Sequence, residues 1–380
     1  MKKSLKFLTL LLILSSFSET CIAKNKLKIG ALLPLSGENE YLGQNIYKSI
    51  LITIFELKNL NIEIIPLDTQ SSSTGAKNAL QAGINNQVNI FIGPIFWETI
   101  KQIQNEKGFK DQVFISYSNF EEKLVPNVIN FGVNLSSQIN SMEKYLKKNE
   151  KLIFLGKDDP FSKRVLDQIK KRNVEISKSV FYKNFNDLET KSKEITNFEE
   201  RNKKYLEEIN KIKKVQDNLD ENLIKKLEKY DTSEPVKFKK VFISNFQEEL
   251  ITTVSFFDFF DANYKNVQFL TLNQWFNEQL LIEPSLEKII FPAIEYNGYI
   301  ELNNKYQKIF GRKINNLEVL TFDIIPLISA NWFNNKDSKI KISSLNGSYK
   351  GKTGEFEIKN NKVDRKLNLY QIQNKKFKKI

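Results

Sequence analysis

The chain reads as an α/β protein of two doubly wound, parallel-sheet lobes with a cleft between them. Three observations predict this. Residues 27–132 alternate apolar, strand-like runs with amphipathic helical segments, the pattern of a parallel sheet covered on both faces. A second unit of the same kind begins near Asn134. The length, 380 residues, exceeds the roughly 250–300 residues at which a single core stops growing.

In the first unit, residues 27–33 form a continuous apolar run, as a strand buried on both sides should. Leu42, Ile46, Ile50, Ile54 and Leu57 recur near helical spacing, so residues 41–58 are an amphipathic helix. Residues 62–67 are the next strand. Ser73 or Thr74 caps a helix to about Asn85, with Ala76, Ala79, Leu80 and Gly83 as a small inner face. Strand 88–92, short helix 97–106 and strand 113–116 follow. The second unit carries strands 151–155, 174–181, 241–244 and 267–272, with helices 161–171 and 249–260. A strand at 289–292 precedes helices 300–310 and 316–333 back in the first lobe. Residues 347–354 are glycine-rich, and 355–358 with 367–372 read as a terminal strand pair. The expected division is 24–132 with 296–335 as lobe one, and 133–295 with 336–380 as lobe two.

Residues 187–229 differ from the rest, being dominated by Lys, Glu and Asn. Ile195, Phe198, Tyr205, Ile209 and Ile212 sit at heptad spacing, interrupted by Asn202. Residues 217–220 break the pattern, and Leu223, Ile224 and Leu227 form a second stripe. The segment 187–230 reads as a helical hairpin inserted in lobe two. It is either a solvated pair resting on that lobe or a docking arm for another protein.

The chain opens with Lys2, Lys3 and Lys6, an apolar run over 7–14, and a polar segment ending Cys21-Ile22-Ala23. This order is that of a secretory signal peptide, cleaved after Ala23, which predicts the periplasm. The alternative is lipidation of Cys21, for which Ser18-Glu19-Thr20 is a poor preceding segment. The apolar run is far shorter than the roughly 20 residues of a membrane span. No later segment reaches that length without charges, so no transmembrane segment is expected in the mature chain.

The net charge is +13. Residues 1–23 carry three lysines and one glutamate, leaving +11. A basic surface for an anionic partner is one reading; abundant Lys, Asn, Ile and Phe scattered along the chain is the plainer one. An exported protein without a recognition module gives no reason to expect nucleic acid. There is no histidine, and the one cysteine is Cys21. Ser-His-Asp and Cys-His machinery is therefore excluded, as are His- or Cys-ligated zinc sites in the mature chain. Adjacent acids at Glu121-Glu122, Asp158-Asp159 and Glu248-Glu249 are expected by chance among 45 acidic residues, and neighbours in sequence point apart. No Walker loop, GxGxxG or EF-hand pattern is present. No catalytic residue, metal site or cofactor is assigned.

Read in order, six blocks resemble one family. KIGALLPLSGENEYLGQ (28–44), Pro66-Leu67-Asp68-Thr69 with Gly75-Ala76, NIFIGPIFW (89–97), FISYSN (114–119), LGKDDPFSKRV (155–165) and GSYKGKTGEF (347–356) resemble leucine-binding-protein-like domains, the type 1 periplasmic-binding fold. The LDT block followed by FIGPIF, and the charged insertion before VFIS, resemble the penicillin-binding protein activator branch. The resemblance implies two lobes joined by crossing strands, and a non-enzymatic binding protein. Its partner would be a penicillin-binding protein or another cell-wall synthase; alternatively, the protein serves an amino-acid-type ABC permease and binds a small solute.

Ligands of such folds lie beyond the carboxyl ends of the parallel strands. The cleft candidates are Ser36, Gly37, Trp97, Ser118, Asn119, Phe161, Phe246 and Trp275. In amino-acid-binding relatives, small hydroxyl residues hold the ligand's backbone groups while an aromatic and an acid close over it. Here Trp97 stands where a serine is expected. Phe161 lacks a tyrosine hydroxyl, and Phe246 and Trp275 bring no acid. The expectation is a more apolar ligand than a free amino acid, or rings that pad a closed seam between the lobes.

Overall fold

The computed structural model describes residues 26–59, 61–147, 151–215, 232, 234–334 and 339–380. The signal-peptide reading and the second hairpin stripe lie outside them. The first sheet has eight strands. β1 (Leu27–Leu33), β2 (Ile62–Asp68), β3 (Ile90–Ile92), β4 (Phe114–Ser116) and β5 (Val128–Asn130) run parallel in the order 2-1-3-4-5. The second sheet repeats that order with β6 (Leu152–Lys157), β7 (Ile176–Tyr182), β8 (Lys240–Ile243), β9 (Gln268–Thr271) and β10 (Ile290–Ala293), as 7-6-8-9-10. This doubly wound order places a switch point at β1/β3 and another at β6/β8, where the carboxyl ends open into a crevice.

Period-2 burial explains the layers. Leu27, Ile29, Ala31 and Leu33 face a core shared with Ile46 and Ile50 of α1 (Glu40–Leu57). Leu32 faces the other way, onto Ala76 and Leu80 of α2 (Ser73–Asn85) and Ile100 of α3 (Trp97–Ile103). The N-cap of α2 is Ser72, whose Oγ accepts from Gly75 N at 3.0 Å, one residue before the expected cap. In the second lobe, α4 (Leu135–Lys147) and α5 (Pro160–Lys170) cover one sheet face. Leu188 and Ile195 of α6 (Phe185–Thr196) and Leu250, Val254 and Phe257 of α8 (Gln247–Phe259) belong to the core on the other.

The segment expected as an inserted hairpin begins with a helix that belongs to the lobe itself. Helix α6 packs on β7 and α8, as an ordinary crossover helix would. Asn197, left-handed at φ 49°, ends it, and a separate α7 (Phe198–Val215) follows. The heptad seam therefore breaks at Asn197. Arg201 anchors α7, donating to the Glu234, Thr196, Phe260 and Asp261 carbonyls.

The C-terminal expectation is also corrected. Strands 355–358 and 367–372 do not pair. β11 (Gly347–Gly351), β12 (Gly354–Lys359) and β13 (Lys362–Lys366) extend the first sheet beyond β5, so residues 347–366 belong with lobe one. The chain then crosses at Leu367, and β14 (Asn368–Gln373) and β15 (Lys376–Lys379) complete the second sheet beside β10. The reason is β13. Its sequence, KVDRK, has no strand-like alternation of bulk, yet Asn360 and Asn361 (φ 50° and 64°) form the two-residue turn that folds it onto β12. Helices α9 (Tyr296–Phe310) and α10 (Glu318–Asn334) lie on lobe one, where Tyr306 OH meets Ser49 Oγ at 2.7 Å and Thr321 Oγ1 meets Tyr117 OH at 2.7 Å.

Three segments thus cross between the lobes: 131–134, 294–295 and 367. Arg365 ties them together. Its Nη2 donates to Phe131 O (2.8 Å) and its Nη1 to Thr353 Oγ1 (3.0 Å), while Thr353 O accepts from Glu295 N (3.0 Å). The guanidinium stacks over Phe131 and Phe356 at 4.5 and 5.2 Å. Burial lowers its pKa to about 10, against the opposing field of Asp323.

Candidate functional site

A cleft of about 910 Å³ opens between the lobes, lined from both. Of the sequence-derived candidates, Trp97, Ser118, Asn119, Phe161, Phe246 and Trp275 line it. Ser36 and Gly37 do not. Asp68, at the end of β2, draws that loop away: it accepts from Leu35 N (2.8 Å), Ser36 N (3.1 Å), Ser36 Oγ (2.6 Å) and Gln70 N (2.8 Å). Ser71 Oγ in turn donates to Ser36 O at 3.0 Å. Ser36 and Gly37 therefore stitch two loops together.

The lobe-one wall is built by the β3 and β4 loops. Gly93 has φ +103°, and a Cβ there would overlap the Leu32 carbonyl, so only glycine lets this loop pass over β1. Trp97, at the start of α3, stacks on Phe120 with ring centroids 4.6 Å apart and is almost fully buried. Its role is partly core. Ser118 Oγ accepts from Phe120 N at 3.1 Å, leaving its own O–H as a donor. Asn119 is exposed.

The lobe-two wall is aromatic. Phe161 and Phe246 lie 5.6 Å apart, and Arg164 sits over Phe161 at 5.9 Å. Trp275 is held by an unusual backbone: Trp275 and Phe276 are both left-handed (φ 51° and 54°). Such residues persist only where their surroundings over-determine them. Here Trp275 N donates to Asn273 Oδ1 (2.9 Å), Gln274 Oε1 accepts from Gln247 N (3.1 Å), and Gln274 Nε2 donates to Asn245 O (3.1 Å). Phe276 is driven into a ring cluster with Tyr296 (4.7 Å), Tyr370 (5.0 Å), Tyr299 (5.3 Å) and Phe377 (5.4 Å). With Phe276 anchored inside, Trp275 is presented, half-buried, to the cleft.

The cleft's charged groups all have partners within the protein. Glu121 accepts from Ser136 N (2.9 Å) and Ser136 Oγ, capping α4. Glu122 faces Arg164 across the lobes at 3.5 Å. Asp167 pairs with Lys171 at 2.7 Å, and Glu98 with Lys101 at 3.9 Å. Glu121 and Glu122, adjacent acids in the sequence, thus serve structure, as does Asp159, which caps α5 through Ser162 N at 2.7 Å. Among the described residues no group of acids, histidines or cysteines is arranged to hold a metal ion, and no helix is long and apolar enough to cross a membrane.

Sequence reasoning missed Asn273 and Gln138. Gln138 Oε1 accepts from Asn273 N at 3.0 Å. Asn273 is 2% exposed, lines the cleft, and its Nδ2 has no hydrogen-bond partner. A lone Asn in LNQW carries no periodic signal, so only the fold reveals it.

Residues 26–175 match the model of the family described as Periplasmic binding protein. No curated protein matches the sequence. Among solved structures, the leucine-binding protein LivK of Thermotoga maritima aligns over 93% of this chain and 97% of its own, at 14% identity and a TM-score of 0.55. The leucine-, isoleucine-, valine-, threonine- and alanine-binding protein of Brucella ovis, in its closed conformation, aligns over 94% of each chain at 14% identity and a TM-score of 0.64. Full-length LpoA of Haemophilus influenzae aligns over 94% of this chain at 14% identity and a TM-score of 0.63, and this chain spans 59% of it. Residues 26–175 thus match that family in sequence, and the whole chain shares the two-lobed fold of these solved structures.

Proposed function

We propose that the protein is an exported, non-enzymatic binding protein of the periplasm that regulates cell-wall synthesis by docking a penicillin-binding protein or another cell-wall synthase. The observation that carries this reading is the charge pairing of the cleft. A free amino acid brings an ammonium and a carboxylate, and burying either without a partner is strongly unfavourable. Every carboxylate and cation lining this cleft already has its partner inside the protein. The resemblance of the LDT and FIGPIF blocks to the activator branch points the same way, as does the likeness to LpoA. The test is a binding titration of the full chain against the purified penicillin-binding proteins of the same organism, with their polymerisation rate as a second readout. Saturable binding with a changed rate is expected; neither binding nor a rate change against any of them removes the reading.

A second reading, the solute receptor of an ABC importer, is favoured by one observation. The alignment runs end to end on receptor chains, 97% of LivK, against 59% of LpoA. In that case a cognate solute at a hundred times its Kd stabilises the fold by about 2.7 kcal/mol, which a thermal-shift screen of amino acids, amides and small acids would detect.

A further inference from the structure

The cleft combines three features that together define a ligand chemistry. It has aromatic faces on both sides, Trp97 from lobe one and Phe161, Phe246 and Trp275 from lobe two. Among the described residues that line it, no charge is unpaired. It has one orphan donor: Asn273 Nδ2, on a side chain 2% exposed whose Oδ1 is already committed to Trp275 N. An unpartnered buried donor is costly and calls for an acceptor. The acceptor must be uncharged, since a carboxylate buried here would find no cation free to pair with it. Ser118 O–H, on the lobe-one wall of the same cleft, is a second donor of the same sense.

We propose that the cleft takes an uncharged amide carrying an aromatic ring, its carbonyl oxygen accepting from Asn273 Nδ2 and its ring packing among Phe161, Phe246 and Trp275. This rests on the reading of the chain as a binding protein, not on the choice between synthase regulator and importer receptor. A cleft of about 910 Å³ has room for more than one residue, so the same chemistry fits either a small free amide or an internal segment of a peptide.

Calorimetric titration of the full chain tests this with three probes: N-acetyl-phenylalaninamide, the blocked tripeptide N-acetyl-glycyl-phenylalanyl-glycinamide, and free phenylalanine. A blocked probe is expected to bind at least tenfold tighter than the free amino acid, and the tighter of the two blocked probes identifies the source. Asn273→Asp, which replaces the donor by an acceptor, is expected to weaken that probe about tenfold. Should that variant fail to fold, Phe246→Ala, at an exposed position on the rim, is expected to weaken it by a similar factor. Equal or tighter binding of free phenylalanine overturns the proposal. So does the absence of any heat from both blocked probes at millimolar concentration, or an affinity indifferent to the substitutions. The synthase titration is unaffected by these outcomes, so the two readings fail separately.

Discussion

Asp68 shows how one side chain decides where a loop goes. Burial pushes its carboxyl up, but the hydrogen bonds from Ser36 Oγ and the Gln70, Leu35 and Ser36 amides outweigh that and hold it below the usual carboxylate range. A depressed carboxyl contributes stability that is present above its unfolded pKa of about 3.9 and lost as the pH falls through the lower folded value. Asp68→Asn keeps an Oδ1 acceptor for the three amides but puts an NH2 group where Ser36 Oγ donates, and is therefore expected to cost about 1 kcal/mol at neutral pH, the scale of one part-buried hydrogen bond to a charged group. The gap in Tm between the two proteins should narrow as the pH falls below about 4. A gap that stays constant through that titration would show that the carboxylate charge is not what holds the loop. The motif containing Asp68 was legible in the sequence. That it captures Ser36, and so removes Ser36 and Gly37 from the cleft, was not, because the two loops are neighbours only once β1 and β2 pair.

At the scale of elements, the loop that follows β9, tied to the start of α8, carries the site. Phe276 holds the left-handed pair in place by filling an aromatic core, and Trp275 faces the cleft as a consequence. Phe276→Ala is expected to lower stability by about 3–5 kcal/mol and to increase the solvent quenching of Trp275 fluorescence, measurable against a Trp275→Phe control. A second element-level test lies in α1. Gly43 sits in the first turn of the helix, where alanine is normally favoured over glycine by up to about 1 kcal/mol. Here a Cβ would overlap the Pro34 carbonyl, so Gly43→Ala should destabilise, as read by a denaturant melt. Most elements with clear periodicity were read from the sequence within a few residues. β5, three residues long, and β13, which reads as charged coil, lacked it; α4 went unread although Ile139, Met142 and Leu146 recur at helical spacing, and the helix break falls at Asn197, five residues before the Asn202 at which the heptad pattern is interrupted.

At the scale of the molecule, the lobes are joined by three crossings gathered on Arg365. Asp323 accepts from Lys352 N at 2.6 Å and from Thr353, and faces Arg365, so two buried charges of opposite sign sit beside the hinge. Burial raises the Asp323 carboxyl, against the pull of its hydrogen bonds and of Arg365. Breaking such a pair leaves an uncompensated buried charge. Arg365→Leu is therefore expected to destabilise by about 3–5 kcal/mol, and Arg365→Leu with Asp323→Leu by less than the single change. Hydrogen exchange should rise at Phe131, Thr353 and Glu295 together, since one side chain links all three; a rise confined to β13 would show that the crossings are not coupled.

The sequence by itself determined the fold class and the order of the parallel units, because buried strands and helical stripes are periodic and therefore local signals. Tertiary structure decided which sheet the last strands join, which candidate residues line the cleft, and that its charges are paired. Those depend on groups far apart in the chain meeting across a sheet edge or between lobes, as Arg365 meets Phe131 and Arg164 meets Glu122, and no local pattern encodes such a meeting.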